Sequence, residues 1–139
     1  MYPILAIDYG LKHLGLAHSD TNGIIASPLP VLSITKNRDI SILIKEILEI
    51  CKEYRIKSLL IGYPQVFTDA QIQNQKRIDV FISKLKMEIS LPIQTWDESF
   101  STADAKNMLI SLGQHYKKSK KKIDSVAACT FLQEYLNNK

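Results

Sequence analysis

Ile4-Leu5-Ala6-Ile7 is apolar at every position. A strand sends alternate side chains to opposite faces, so a run with no polar alternate needs cover on both. Ser58-Leu59-Leu60-Ile61 is a second buried run of this kind, closed by Gly62-Tyr63-Pro64. Two such strands predict a sheet sandwiched between helices. Ile40, Leu43, Ile44, Ile47, Leu48, Cys51 and Tyr54 recur at helical spacing, and Ile78, Phe81, Ile82, Leu85 and Ile89 mark a second helix. Leu14 to Ser19 and Ile24 to Ile34 read as strands joined by Asp20-Thr21-Asn22-Gly23, whose Asn-Gly pair signals a hairpin. With the first run they make an antiparallel meander.

Pro92 to Trp96 reads as a fifth strand, ending on Asp97-Glu98. Ser101 and Asp104 resemble a capping box; Ala105, Met108, Leu109 and Leu112 follow on one helical face, with Gly113 as a stop. A last helix is predicted from near Lys122 to about Asn137. The order β-β-β-α-β-α-β-α-α predicts an α/β fold: a five-stranded mixed sheet, three antiparallel strands then βα units, with helices on both faces.

The 139 residues show no internal repeat and fit one domain spanning 1–139. No apolar run is long enough to span a bilayer, so no membrane partner is expected. The N-terminus enters a strand without the layout of a signal peptide. Cys51 and Cys129 read as small buried hydrophobes of a reducing compartment, which predicts a cytoplasmic protein. Net charge is +4, so the placement of charge matters more than its size.

Three carboxylates stand out by position. Asp8 ends the first buried run, Glu98 follows the fifth strand, and Asp124 lies near the start of the last helix. Asp124 shares a helical face with Ala127, Ala128 and Phe131, and the two alanines would let that helix approach the sheet closely. Three carboxylates brought together repel unless cations sit among them, and an all-oxygen set suits Mg²⁺ or Mn²⁺. Each also has a plain reading: an Asp at a strand end is a common turn residue, and an acid in a first helical turn complements the dipole. Residue type and spacing leave both readings open.

Asp8-Tyr9-Gly10-Leu11-Lys12-His13-Leu14-Gly15, then Ser19-Asp20 and Ala26-Ser27-Pro28-Leu29, resemble the opening of the YqgF-type family. These are bacterial nucleases related to Holliday-junction resolvases and linked to maturation of the 16S ribosomal RNA 5′ end. Gly62-Tyr63-Pro64 resembles the family's G-L-P, and Asp97-Glu98-Ser99-Phe100-Ser101-Thr102 its D-E-R-x-[ST]-T. Lys121-Lys122-Ile123-Asp124 with Ala127-Ala128 resembles its basic, Asp-containing last helix. The resemblance covers essentially the whole chain, in order.

It implies a ribonuclease-H-like nuclease domain over 1–139, with Asp8, Glu98 and Asp124 as both catalytic groups and ligands of Mg²⁺ or Mn²⁺. It implies a nucleic-acid partner: precursor 16S ribosomal RNA, alternatively branched DNA, with ribosomal particles as its setting. Trimming one RNA end needs one site and paired cuts need two, so a monomer or a weak homodimer is expected. The family usually has Arg where this chain has His13 and Ser99, and Asp-Gly where it has Asp69-Ala70. Arg grips phosphate bidentately and neither His nor Ser does, although a protonated His13 can still contact phosphate. The departures predict a weaker grip on substrate.

Lys117, Lys118, Lys120, Lys121 and Lys122 put five cations just before Asp124. With Lys12 and His13 they are the predicted substrate-binding set, because a clustered basic patch is the electrostatic footprint of phosphate binding. A solvated loop is the plain alternative. Trp96 and Phe100 read as packing, Ser101 and Thr102 as helix caps, and Asp97 as a ligand-orienting group or a strand-end cap. Tyr116 offers a base-stacking surface; His18 and His115 receive no role. Three other classes compete: an actin-like ATPase, which would need a second domain of this kind, a non-catalytic nucleic-acid-binding module, and an interaction protein. Metal-dependent cleavage separates the nuclease from the binding module, a stoichiometric ATP complex would mark the ATPase, and the Lys run beside an acid-bearing helix argues against the interaction protein.

Overall fold

The computed structural model describes residues 1–10, 12–35, 39–63, 69–97 and 125–138. The elements are β1 (Ile4–Tyr9), β2 (His13–Ser19), β3 (Ala26–Ser33), α1 (Ile40–Glu53), β4 (Ser58–Tyr63), α2 (Asp69–Glu88), β5 (Ile93–Asp97) and α3 (Val126–Asn137). Among the described residues the strands form one mixed sheet in the order β3-β2-β1-β4-β5. β1 runs antiparallel to β2, and β2 to β3; β1 and β4, and β4 and β5, are parallel. The predicted helix over Ser101 to Leu112 lies outside the described residues.

Side-chain parity explains why the apolar runs need cover on both sides. Leu5, Ile7, Leu14, Leu16, Leu59 and Ile61 pack with Leu43, Ile44 and Ile47 of α1 and Ile78, Phe81 and Leu85 of α2. Ile4, Ala6, Ala17 and Leu60 point the other way, onto Ala128, Cys129, Phe131 and Leu132 of α3. Each Leu, Ile or Phe withdrawn from water here is worth about 1.5–3 kcal/mol. The central strands β1 and β4 therefore carry most of the sheet's share of the core on both faces. β3, an outer strand, holds Pro28 and Pro30, where a missing N–H costs least.

Four expectations need correction. Asp8 does not end β1: Tyr9 does, with Asp8 paired to Gly15 and Tyr9 to Leu14. β3 begins at Ala26 rather than Ile24, leaving Ile24 and Ile25 61% and 60% exposed. The expected turn over Asp20 to Gly23 forms, with the Gly23 amide donating to the Asp20 carbonyl at 3.2 Å and Gly23 at a φ of 70°, and the Asp20 carboxylate draws Ile24 and Ile25 into the loop by accepting their amides at 2.7 and 3.0 Å. The amides of Ile25 and then Ile24 hold the Asp20 carboxyl below its ordinary 3.8. Gly62 and Tyr63 extend β4 rather than close it. On α3, Ala128 is buried but Ala127 is exposed, so the close approach rests on Ala128 against Ala6, Ala17 and Ala26.

α1 starts where Asp39 accepts the Ile42 amide at 3.1 Å. It ends with Arg55 at φ 54° and the Ile56 amide bonded to the Cys51 carbonyl at 2.9 Å. This is a Schellman closure with arginine in the place glycine usually takes, and the buried Ile56 supplies its apolar contact. His18 also finds a place: its ring packs on Tyr54 at 4.5 Å between centroids. Among the described residues no helix is long and apolar enough to cross a membrane.

Candidate functional site

Asp8 continues the parity of Ile4 and Ala6, so its side chain leaves the sheet on the α3 face. It is half-buried. Its partner across the β1–β2 ladder is Gly15. On the other side Ile7 pairs with Ile61, which brings Asp8 level with Gly62, itself paired with Trp96. Neighbours in one row share a face. Asp8 therefore stands between two glycines, and neither adjacent strand covers its carboxylate.

The turn after β1 is tight. The Gly10 amide donates to the His13 carbonyl at 3.0 Å, and a Cβ on Gly10 would fall 2.7 Å from that oxygen. Lys12 and His13 are both exposed in this turn. His13 shares the parity of Gly15 and Ala17, which puts it on the Asp8 face, two residues along β2 from Gly15. Asp8 and His13, two of the predicted site residues, are thus brought to one side of one sheet edge.

The parallel strands β1, β4 and β5 all finish at this edge, on Tyr9, Tyr63 and Asp97. Open sheets bind ligands outside the carboxyl ends of their parallel strands. Trp96 sits on the α3 face and meets Tyr135 edge-on at 5.5 Å, so it packs as expected. Tyr63 points to the opposite face and donates its hydroxyl to Asp79 at 3.0 Å; burial first, and then this carboxylate, raise its pKa.

Glu98, Asp124, Lys117, Lys118, Lys120, Lys121 and Lys122 lie outside the described residues, as do Ser99, Phe100, Ser101, Thr102, His115 and Tyr116. Their chain neighbours are described. Glu98 follows Asp97, the last residue of β5. Asp124 precedes Ser125, the residue that sequence reasoning missed. Ser125 stands at the N-cap of α3 but makes no side-chain cap bond there. Its fully buried hydroxyl accepts the Leu16 amide at 3.1 Å and donates to the Leu29 carbonyl. Leu16 and Leu29 are register partners beside the irregularity between Leu14 and Leu16 in the β2–β3 ladder. The hydroxyl is spliced into that ladder and pins the start of α3 one residue from Gly15.

Among the described residues no three His, Cys, Asp or Glu are placed to hold a metal ion; two of the three predicted ligands are not in that set. The donor chemistry fits a hard divalent cation nonetheless. Asp8 offers carboxylate oxygens, the donor such an ion takes, and the glycines on either side place no side chain of β2 or β4 beside it.

The chain resembles known proteins along nearly its full length. A family model described as "RuvX: Holliday junction resolvase" matches residues 2–138. A protein of Geobacillus kaustophilus (strain HTA426) named "Putative pre-16S rRNA nuclease" is 36% identical over 136 residues, covering 97% of each chain. A Fusobacterium nucleatum protein of the same name is 38% identical over 137 residues, covering 97% of this chain and 96% of that one. Among solved structures, Thermus thermophilus RuvC in complex with a Holliday junction substrate superposes with a TM-score of 0.66 at 12% identity, covering 99% of this chain and 98% of that chain. The fowlpox virus resolvase bound to Holliday junction DNA gives 0.58 at 13% identity, covering 98% and 97%. At such identities the structures speak for the fold, which is ribonuclease-H-like, as expected from the motifs. The family model and the two relatives reach the same conclusion from the sequence side: the chain belongs to the RuvX, Holliday junction resolvase, family.

Proposed function

We propose that this chain is a metal-dependent nuclease, one domain over 1–139, that hydrolyses phosphodiester bonds in the 5′-end maturation of precursor 16S ribosomal RNA. One observation carries the reading: Asp8 stands half-buried between Gly15 and Gly62, with no side chain of β2 or β4 beside it, on the face and at the edge where the parallel strands end. Asp8, Glu98 and Asp124 would hold Mg²⁺ or Mn²⁺. When bound, such an ion supplies Lewis-acid stabilisation of the charge on the scissile phosphate and lowers the pKa of a coordinated water. The chain's own residues do the rest. Asp8 fixes where that charge is met, and His13 and Lys12 hold the neighbouring phosphates from the turn. Ser125 keeps the start of α3 against β2. The lysines from Lys117 to Lys122 extend the grip, which makes binding sensitive to salt.

The relatives' name supports the ribosomal RNA substrate, and the protein would then work in the cytoplasm around ribosomal particles. The family description favours a second reading, cleavage of four-way DNA junctions by a paired form of the chain. Incubating the protein with a precursor 16S 5′ fragment and with a four-way junction, each with Mn²⁺, Mg²⁺ or EDTA, separates the two. The RNA is expected to be cut at a defined position with metal and left intact in EDTA. Cleavage of the junction alone would transfer the assignment to DNA, and cleavage of neither would remove it.

A further inference from the structure

A groove of about 250 Å³ opens between the end of β1 and α2, lined by Tyr9, Ile40, Gln73, Lys76, Arg77 and Val80. Gln73, Lys76, Arg77 and Val80 follow the spacing i, i+3, i+4, i+7, which sets them on one stripe of α2. Such a stripe usually buries apolar side chains. Here Lys76 and Arg77 stand exposed on it. Among the described residues no acidic side chain lines the groove, and Asp79, one turn away, is engaged by the Tyr63 hydroxyl. The floor is fixed, because the Tyr9 ring packs on buried Phe81 at 4.8 Å between centroids.

Tyr9 is the residue after Asp8, so the two side chains leave β1 on opposite faces of the same sheet edge. A polymer crossing that edge from Asp8 meets this groove next. The volume lies below the roughly 300–1,000 Å³ of a typical small-molecule cleft, which suits one unit of a longer chain better than a free ligand. Two cations beside an aromatic ring are the combination that grips a single-stranded nucleic acid.

We propose that this groove is a second nucleic-acid subsite, in which Lys76 and Arg77 hold backbone phosphates of a single-stranded segment running on from the bond cut at Asp8. The assignment rests on the nuclease reading. The test is the full chain with Lys76→Gln and Arg77→Gln together, against a Lys84→Gln, Lys86→Gln control that removes the same charge from α2 outside the groove. Binding of a labelled single-stranded RNA in EDTA is followed by anisotropy across a salt series, with thermal melting to confirm the fold.

The groove variant is expected to bind at least about tenfold more weakly, and its log–log salt slope to fall by about 1.4, two phosphates at ~0.7 each. The control should keep the wild-type slope. Equal weakening in both variants, or an unchanged slope in the groove variant, would overturn the subsite while leaving cleavage at Asp8 intact. Loss of all binding and cleavage by the wild-type protein would instead overturn the nuclease reading. Binding of acidic polypeptide, with RNA binding unaffected by the groove variant, would reassign the groove to a protein partner.

Discussion

The Ser125 hydroxyl accepts the Leu16 amide at 3.1 Å, joining residues 109 apart in sequence, and passes its own hydrogen to Leu29. A serine at a helix start normally caps its own helix. This one serves the sheet instead, and so fixes α3 against β2. Ser125→Ala leaves a buried amide and carbonyl to find new partners. A loss of about 1–3 kcal/mol is expected, read as a lower urea midpoint at unchanged m-value. An unchanged midpoint would show that β2 and β3 close the gap without the hydroxyl.

Gly10→Ala places a methyl group 2.7 Å from the His13 carbonyl oxygen, a backbone atom that cannot swing aside. The turn bearing Lys12 and His13 must shift relative to Asp8. Cleavage is expected to fall at least about tenfold, since small misplacements beside a reacting centre cost that much or more. Far-ultraviolet circular dichroism should be unchanged. Full activity in Gly10→Ala would show that this turn takes no part in positioning substrate.

Burial pushes the Cys51 thiol up to about 11 and the Cys129 thiol to about 12, from an ordinary 9.0. Ellman's reagent at pH 8 should therefore titrate neither thiol in the native protein and both in urea. The folded values lie above the unfolded one, so this contribution to stability is complete below pH 9.0 and is lost as pH rises through about 11 and 12. Cys129→Ala should flatten that alkaline decline in melting temperature. Rapid labelling of the native protein would contradict the burial of both.

The architecture was legible because its signals are local. Ile4 to Ile7 and Leu59 to Ile61 have no polar alternate, and the periodicity changes where α1 begins. Asp8 was legible as a candidate for the same reason, a carboxylate at the exit of an apolar run. The glycine flanks were not: Gly15 and Gly62 are 7 and 54 residues from Asp8 in the chain and meet it only through sheet register. Ser125 was not legible: a helix predicted from near Lys122 takes it into its first turn, whereas it precedes α3 and its partners Leu16 and Leu29 lie 109 and 96 residues away in the chain. Ile24 and Ile25 misled because β-branched apolar residues read as strand, whereas the Asp20 carboxylate takes their amides for a loop. The Lys76 and Arg77 stripe escaped because a charged helical face usually means solvent.

The central claim is that the Asp8 carboxylate drives cleavage, and Asp8→Asn tests it most directly. The change keeps size and shape while removing the charge that would hold the metal. Cleavage of the precursor RNA fragment with Mn²⁺ should drop by at least about 10³-fold, on the order of 4 kcal/mol in the barrier, while RNA affinity in EDTA and melting temperature stay near wild type. Retention of wild-type cleavage in clean Asp8→Asn protein would contradict the account at its root.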